Sequence, residues 1–252
     1  MARLQDKVAL ISGGAGSIGA ATARLFAAEG ARVVLADLDE AGLTELVDEL
    51  GSDRAALAVT DVTDSDQVRR AVDVAVERFG GLDIAFANAG IFGVNAVIVD
   101  YPEDVFDRVM AVNVRGSFLL AKHALAVMRD GGSMIFNSSV VGLMSDATIA
   151  GYATSKHAVV GLMRTAAKEV AARGIRVNSI HPGPVDNAFQ HSIEVSATGQ
   201  PEERAAELFE ERIPLARHAA PEEIARTVLF LASDDSSFVT GATVKVDGGL
   251  HI

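Results

Sequence analysis

Lys7-Val8-Ala9-Leu10-Ile11 runs directly into Ser12-Gly13-Gly14-Ala15-Gly16-Ser17-Ile18-Gly19 and then into Ala20–Glu29. The first five residues, aliphatic and β-branched, suit a strand buried on both faces. Ala20–Glu29 has the apolar spacing of an amphipathic helix. Between them the glycines allow a tight turn and close backbone approach. The helix that follows presents free N–H groups, a natural seat for a pyrophosphate. Gly14-x-Gly16-x-x-Gly19 matches the dinucleotide-binding fingerprint loosely. Many glycine turns bind nothing, and it is the flanking strand and helix that give this one weight.

The next strand-like run, Arg32–Ala36, ends at Asp37, 18 residues beyond Gly19. In a dinucleotide-binding unit this is where an acid accepts from the ribose 2′-OH of NAD and repels the 2′-phosphate of NADP. No Lys or Arg stands in the glycine loop or just after Asp37 and Leu38 to reverse that preference. The alternation then continues. Ala55–Val59, Leu82–Ala87, Ser133–Asn137, Ile175–Ile180 and Thr243–Asp247 read as strands. Asp64–Phe79, a long pattern within Pro102–Met128, Gly151–Arg173 and Pro221–Leu231 read as helices. Strands alternating with helices predict an α/β fold: a single-domain, Rossmann-type, doubly wound parallel sheet with helices on both faces, spanning residues 1–252. Ligands of such sheets sit at the strands' C-terminal ends. Gly13–Gly19, Asp37, Asp61, Asn88–Gly90, Ser139 and Pro182-Gly183 all fall at those ends.

Composition narrows the function. The 252 residues are 49% hydrophobic, enough for a large core, and the net charge of −12 disfavours nucleic acid, whose phosphates need a basic footprint. There is no cysteine, which excludes disulfides and thiolate–zinc sites. No secretory leader is recognisable at the N-terminus, and Gly and charges interrupt every apolar run short of a membrane span. A cytoplasmic location is expected. His191-x-x-Glu194 is the nearest approach to a metal-ligand pair and reads as loop surface, so no metal is expected.

The chemistry is carried by Ser138-Ser139 and by Tyr152-Ala153-Thr154-Ser155-Lys156. Four residues apart on a helix, Tyr152 and Lys156 share one face. A phenol is a poor acid–base group at neutral pH, and a neighbouring ammonium favours its phenolate. Ser139 follows a strand and offers a hydroxyl to polarise a carbonyl. Phenol, ammonium and hydroxyl make a proton-transfer device for a carbonyl/alcohol pair, to which the glycine loop adds the site of a hydride donor.

Over essentially its whole length the sequence resembles the short-chain dehydrogenase/reductase family. The resemblance rests on Ser12–Gly19, Asn88-Ala89-Gly90, Asn113, Ser139, Tyr152-x-x-x-Lys156 and Pro182-Gly183. It implies a catalytic tetrad: Tyr152 as general acid/base, Ser139 as donor to the carbonyl, Lys156 holding the nicotinamide ribose and lowering the Tyr152 pKa, and Asn113 anchoring a water in the proton relay. It places Ser12, Gly13, Gly16, Ser17, Ile18 and Gly19 at the cofactor, with Asp37 and Leu38. Asp61 and Val62 would contact adenine, Asn88, Ala89 and Gly90 would lie beside the adenosine ribose, and Pro182, Gly183 and Val185 would lie by the nicotinamide. Three positions depart from the family pattern, the first being Ser12, which replaces the Thr of the glycine loop and keeps its hydroxyl. Ser17 replaces the middle glycine of T-G-x-x-x-G-x-G, where a Cβ would crowd the cofactor unless Gly16 absorbs the strain. Asn187 stands in a stretch that often carries a Thr bonded to the carboxamide.

The resemblance also implies a substrate-closing segment, here about 187–213, expected as a mobile loop and a short lid helix. Phe92, Val94, Val141, Leu143, Met144 and Phe189 are candidates for an apolar pocket. A homotetramer through the helices of Pro102–Met128 and Gly151–Arg173 is expected. Three readings remain open: an NAD-dependent dehydrogenase of a secondary alcohol, an NADP-dependent 3-oxoacyl-thioester reductase, and a non-catalytic binding protein that has kept the fold.

Overall fold

The computed structural model describes residues 2–252. Seven strands form one parallel sheet: β1 Val8–Ser12, β2 Arg32–Asp37, β3 Ala55–Val59, β4 Leu82–Ala87, β5 Met128–Asn137, β6 Arg176–Pro182 and β7 Thr243–Val246. Their order is β3-β2-β1-β4-β5-β6-β7. β1 pairs in register with β2 on one side and β4 on the other, so the winding reverses beside β1 and opens a crevice at its C-terminal end.

Period-two alternation sorts the strand side chains. Val8 and Leu10 enter one core, while Ala9 and Ile11 enter the other. The first core packs under α3 (Ser65–Phe79), α5 (Ser117–Val127) and α6 (Ala150–Val170). The second packs under α1 (Ser17–Ala28), α2 (Glu40–Leu50) and α9 (Pro221–Ala232). α3 shows why such segments are helical. Asp64 caps its first turn by accepting from the N–H groups of Asp66 and Gln67, and left-handed Gly80 ends it.

Three expectations change. The helical pattern of Pro102–Met128 is interrupted: α4 (Glu103–Val109) passes into a π segment, Met110–Gly116, before α5. Asn113 sits in that π turn, the kind of irregularity that often marks functional sites. Strand β5 begins at Met128 rather than Ser133, its register against β4 shifting between Leu82 and Ile84. The closing segment is two helices, α7 (Ala188–Thr198) and α8 (Glu202–Glu210), not a loop and one helix. The Ser-, Thr- and β-branched-rich α7 has weak intrinsic propensity; a side-chain cap from Asn187 and tertiary packing make it helical.

Candidate active site

A cleft of about 660 Å³ runs along the C-terminal ends of the strands. Its wall holds Gly13, Gly16, Ser17, Ile18, Asp37, Leu38, Asp61, Val62, Asn88, Ala89, Gly90, Ser139, Tyr152, Lys156, Pro182, Gly183 and Val185. Residues read as functional from separate parts of the chain thus meet on one surface.

Ser12 and Gly19 do not reach this wall. Ser12 is buried, and its hydroxyl accepts from the N–H groups of Asn88 (3.0 Å) and Ala89 (3.3 Å), tying β1 to β4 beneath the cleft. Gly19 is needed for packing: a Cβ there would collide with the Gly13 carbonyl oxygen. Gly19→Ala is therefore expected to displace the glycine loop and cost about 1–3 kcal/mol of stability, read from a urea midpoint. Gly13 has φ +65°, the left-handed turn that lets the loop double back. Gly16 carries no strain; it is the N-cap of α1 with φ −70°.

The cleft fits a dinucleotide. No side chain caps α1 and no acid stands in its first turn, so the leading N–H groups are left for an anion. Asp37 closes the far end. Its carboxylate accepts from the N–H groups of Ala15 (3.1 Å), Leu38 (2.7 Å) and Asp39 (3.2 Å), which fixes it against the glycine loop. Asn88 donates to the Gly13 carbonyl (3.0 Å) and accepts from Asn137 (2.8 Å), bracing the segment between them.

At the reactive end, Lys156 donates to the Asn137 carbonyl at 2.8 Å, which leaves other ammonium protons for a sugar hydroxyl. Its Nζ lies 5.4 Å from the centre of the Tyr152 ring. Burial brings the ammonium down to about 8. Burial likewise pushes the Tyr152 phenol up to about 12, against the opposing pull of the Ser139 hydroxyl. Desolvation thus dominates in the protein alone, and the lowering expected from Lys156 is not seen there. Ser139 Oγ accepts from the Val141 N–H at 3.3 Å, leaving its own proton to donate.

Asn113 is buried away from the cleft wall. Its amide donates to the Ile91 carbonyl (2.9 Å) and to Ser155 Oγ (2.9 Å) and accepts from the Ile91 N–H (2.8 Å). Both amide protons are spent, so the side chain acts as a brace between the Ile91 loop and α6.

Sequence reading passed over His181. It is fully buried, with Nδ1 2.7 Å from the Ser139 carbonyl and Nε2 2.8 Å from Ser179 Oγ. A carbonyl only accepts, so Nδ1 carries the proton and Nε2 accepts from Ser179. Burial holds the ring neutral, down to about 4. His181 thereby anchors the backbone of Ser139; its place two residues before Gly183 was the one available signal.

The substrate end is largely apolar, with Arg108 and the Arg212–Asp146 ion pair (3.1 Å) also on its wall. Phe92, Val141, Met144, Phe189, Ile193, Ala197 and Phe209 line it, while Val94 and Leu143 do not. The Tyr152 ring lies between Phe92 (5.3 Å) and Phe189 (6.5 Å). Ile193 and Ala197 lie on α7 and Phe209 on α8, and only the path of the lid puts them here.

His191 and Glu194 do not converge on a common point. His191 meets Asp186 (3.2 Å) and Glu202 (3.0 Å). Glu194, expected at a loop surface, is completely buried on α7. Its Oε1 accepts from Gln190 (2.9 Å) and from His218 Nε2 (2.6 Å), while His218 Nδ1 meets Glu210 on α8 at 2.9 Å. Among the described residues no helix is long and apolar enough to cross a membrane.

Comparison with known proteins agrees with this geometry. A family model described as enoyl-(acyl carrier protein) reductase matches residues 13–251. The chain is 41% identical to the 3-oxoacyl-acyl-carrier-protein reductase FabG of Thermotoga maritima, over 99% of this chain and all of that one. It is 41% identical to trans-4-hydroxycyclohexanecarboxylate dehydrogenase of Sinomonas cyclohexanicum, over 98% of this chain and 93% of that one. It is also 40% identical to levodione reductase of Leifsonia aquatica, over 98% of this chain and 95% of that one. A crystal structure of levodione reductase superposes with a TM-score of 0.94 at 38% identity, covering 98% of both chains. The chain belongs to the short-chain dehydrogenase/reductase family, and these relatives include both reductases and dehydrogenases.

Proposed function

We propose that this protein is an NAD-dependent dehydrogenase acting on a secondary alcohol or its ketone, with Tyr152 as the general acid/base. The observation that carries the reading is that Asp37 and the Ser139–Tyr152–Lys156 group lie at the two ends of one cleft. A bound nicotinamide would supply or accept the hydride. The chain's own residues handle the proton and the oxygen. Ser139 donates to the substrate oxygen and stabilises the charge that grows there. The Tyr152 phenol gives a proton to that oxygen in reduction and, as phenolate, takes it in oxidation. Lys156 holds a sugar hydroxyl and keeps a positive charge beside the phenol, while Asn113 braces the floor on which a proton relay would run.

The apolar walls around Tyr152 favour a substrate of modest size and low charge. Two relatives fit the modest size: one is a levodione reductase, and the other is named for a hydroxycyclohexane carboxylate, a small ring that bears one negative charge. The FabG relative supports the second reading, an NADP-dependent 3-oxoacyl-thioester reductase. Against it stand the Asp37 carboxylate and a glycine loop without a basic residue. A homotetramer in the cytoplasm belongs to the same proposal; exposed Phe118 and Val127 on α5 offer an apolar face for it. Light scattering that finds a monomer at micromolar concentration would remove the tetramer.

Titration with NADH and NADPH, followed by nicotinamide fluorescence, tests the cofactor assignment. NADH is expected to bind more tightly than NADPH, with Lys156→Ala weakening both. Asp37→Asn keeps an acceptor for the Ala15 N–H but removes the charge. It is expected to weaken NADH about tenfold and to tighten NADPH. An unchanged ratio would take Asp37 out of the cofactor site, and tighter NADPH in the wild type would put the reductase reading first.

A further inference from the structure

Two of the departures from the family pattern, Ser17 and Asn187, touch each other. Asn187 Nδ2 donates to Ser17 Oγ at 3.0 Å, between residues 170 positions apart. The amide's orientation is unambiguous, because Oδ1 accepts from the Gln190 N–H at 2.8 Å and so caps α7. One side chain therefore starts the lid helix with its oxygen and reaches the start of α1 with its nitrogen. Ser17 Oγ serves only as an acceptor, and its own O–H has no acceptor among the described residues. Both side chains lie on the cleft wall, beside Gly16 and Ile18.

Resting on the dinucleotide reading of the cleft, we propose that Ser17 and Asn187 form a clasp through which the cofactor's pyrophosphate seats the lid helix α7 over the reaction site. A phosphate oxygen is a pure acceptor and matches the free Ser17 O–H. A hydroxyl that donates to an anion becomes a better acceptor for its second partner, so phosphate binding strengthens the bond from Asn187. In the unliganded protein this is one solvent-accessible hydrogen bond and holds α7 weakly. A bound pyrophosphate excludes water from it and adds charge. Phe189, two residues past Asn187, packs toward Tyr152 at 6.5 Å, so seating α7 also closes the apolar pocket. The serine that would crowd a cofactor is, in this arrangement, a ligand to it.

The test uses ADP-ribose, which has the pyrophosphate but no nicotinamide, with adenosine as the control lacking phosphate. Hydrogen exchange of residues 188–198 and the affinity for ADP-ribose are measured in the wild type, Ser17→Ala, Asn187→Ser and the double variant. Serine at 187 keeps a capping oxygen for α7 but is too short to reach Ser17. ADP-ribose, and not adenosine, is expected to slow exchange across α7 in the wild type, and in none of the variants. Affinity is expected to fall about tenfold in Ser17→Ala and about threefold in Asn187→Ser, with the double variant no weaker than Ser17→Ala alone. Losses that multiply in the double variant, or equal protection of α7 in all four proteins, would overturn the clasp while leaving the nucleotide site standing. Failure of the wild type to bind ADP-ribose would overturn both.

Discussion

Tyr152→Phe is expected to lower turnover by about 10²–10⁴-fold while leaving NADH affinity within about twofold of wild type. The change removes one oxygen from a ring already packed between Phe92 and Phe189, so the apolar wall survives. What is lost is the only phenol on the cleft wall, the group proposed to exchange a proton with the substrate oxygen. Ser139 retains its hydroxyl and supports a residual rate through charge stabilisation. The pH dependence supplies a second readout. Burial pushes the phenol up to about 12, so at neutral pH it is protonated and ready for reduction. Oxidation needs the phenolate, and its rate should climb with pH toward that value, whereas reduction should not. Stopped assays in both directions, with binding followed by fluorescence, check these outcomes. Near wild-type turnover in Tyr152→Phe would remove Tyr152 from the mechanism.

His218→Leu is expected to destabilise the protein by about 3–5 kcal/mol at pH 6.5, because it leaves the buried Glu194 carboxylate without its cation. Both ring nitrogens of His218 meet carboxylates, Glu194 and Glu210, and the bond to Glu194 is the main reason the imidazole is raised to about 9. The sign follows from linkage. A folded-state value above the unfolded ~6.5 contributes stability that is fully present below 6.5 and lost as pH rises through about 9. That gap corresponds to roughly 3 kcal/mol. Lys156, brought down from 10.5 to about 8, acts oppositely as pH rises through about 8, overlapping the upper end of the His218 window, so the wild-type curve alone is not diagnostic. The informative quantity is the difference between wild type and His218→Leu in urea unfolding at pH 6.5 and pH 9.5. It should shrink on going to the higher pH; a difference independent of pH would mean that His218 is not charged in the folded protein.

These two sites differ in how they were found. Tyr152 and Lys156 are legible because their relation is local: four residues on a helix fix a shared face before any tertiary contact exists. The glycine loop is equally local, and so is the alternation that predicts a parallel sheet. The Glu194–His218–Glu210 set joins residues from α7, α8 and the segment before α9, and no periodicity links them. Glu194 in particular looked like surface, since a carboxylate buries only with a partner, and the partner lies 24 residues on.

The same division runs through the whole site. By itself the sequence determined the fold class, the crevice at the strand ends and the shared helix face of Tyr152 and Lys156. Each follows from short-range backbone preference and from burial patterns a few residues long. Only the tertiary structure decided that Ser12 and Gly19 act beneath the cleft, that Asn113 is a brace, that His181 holds Ser139, and that the closing segment is two helices. It alone joined Ser17 to Asn187. Those are outcomes of long-range packing, where a polar side chain takes whichever distant partner the folded backbone brings within hydrogen-bonding distance.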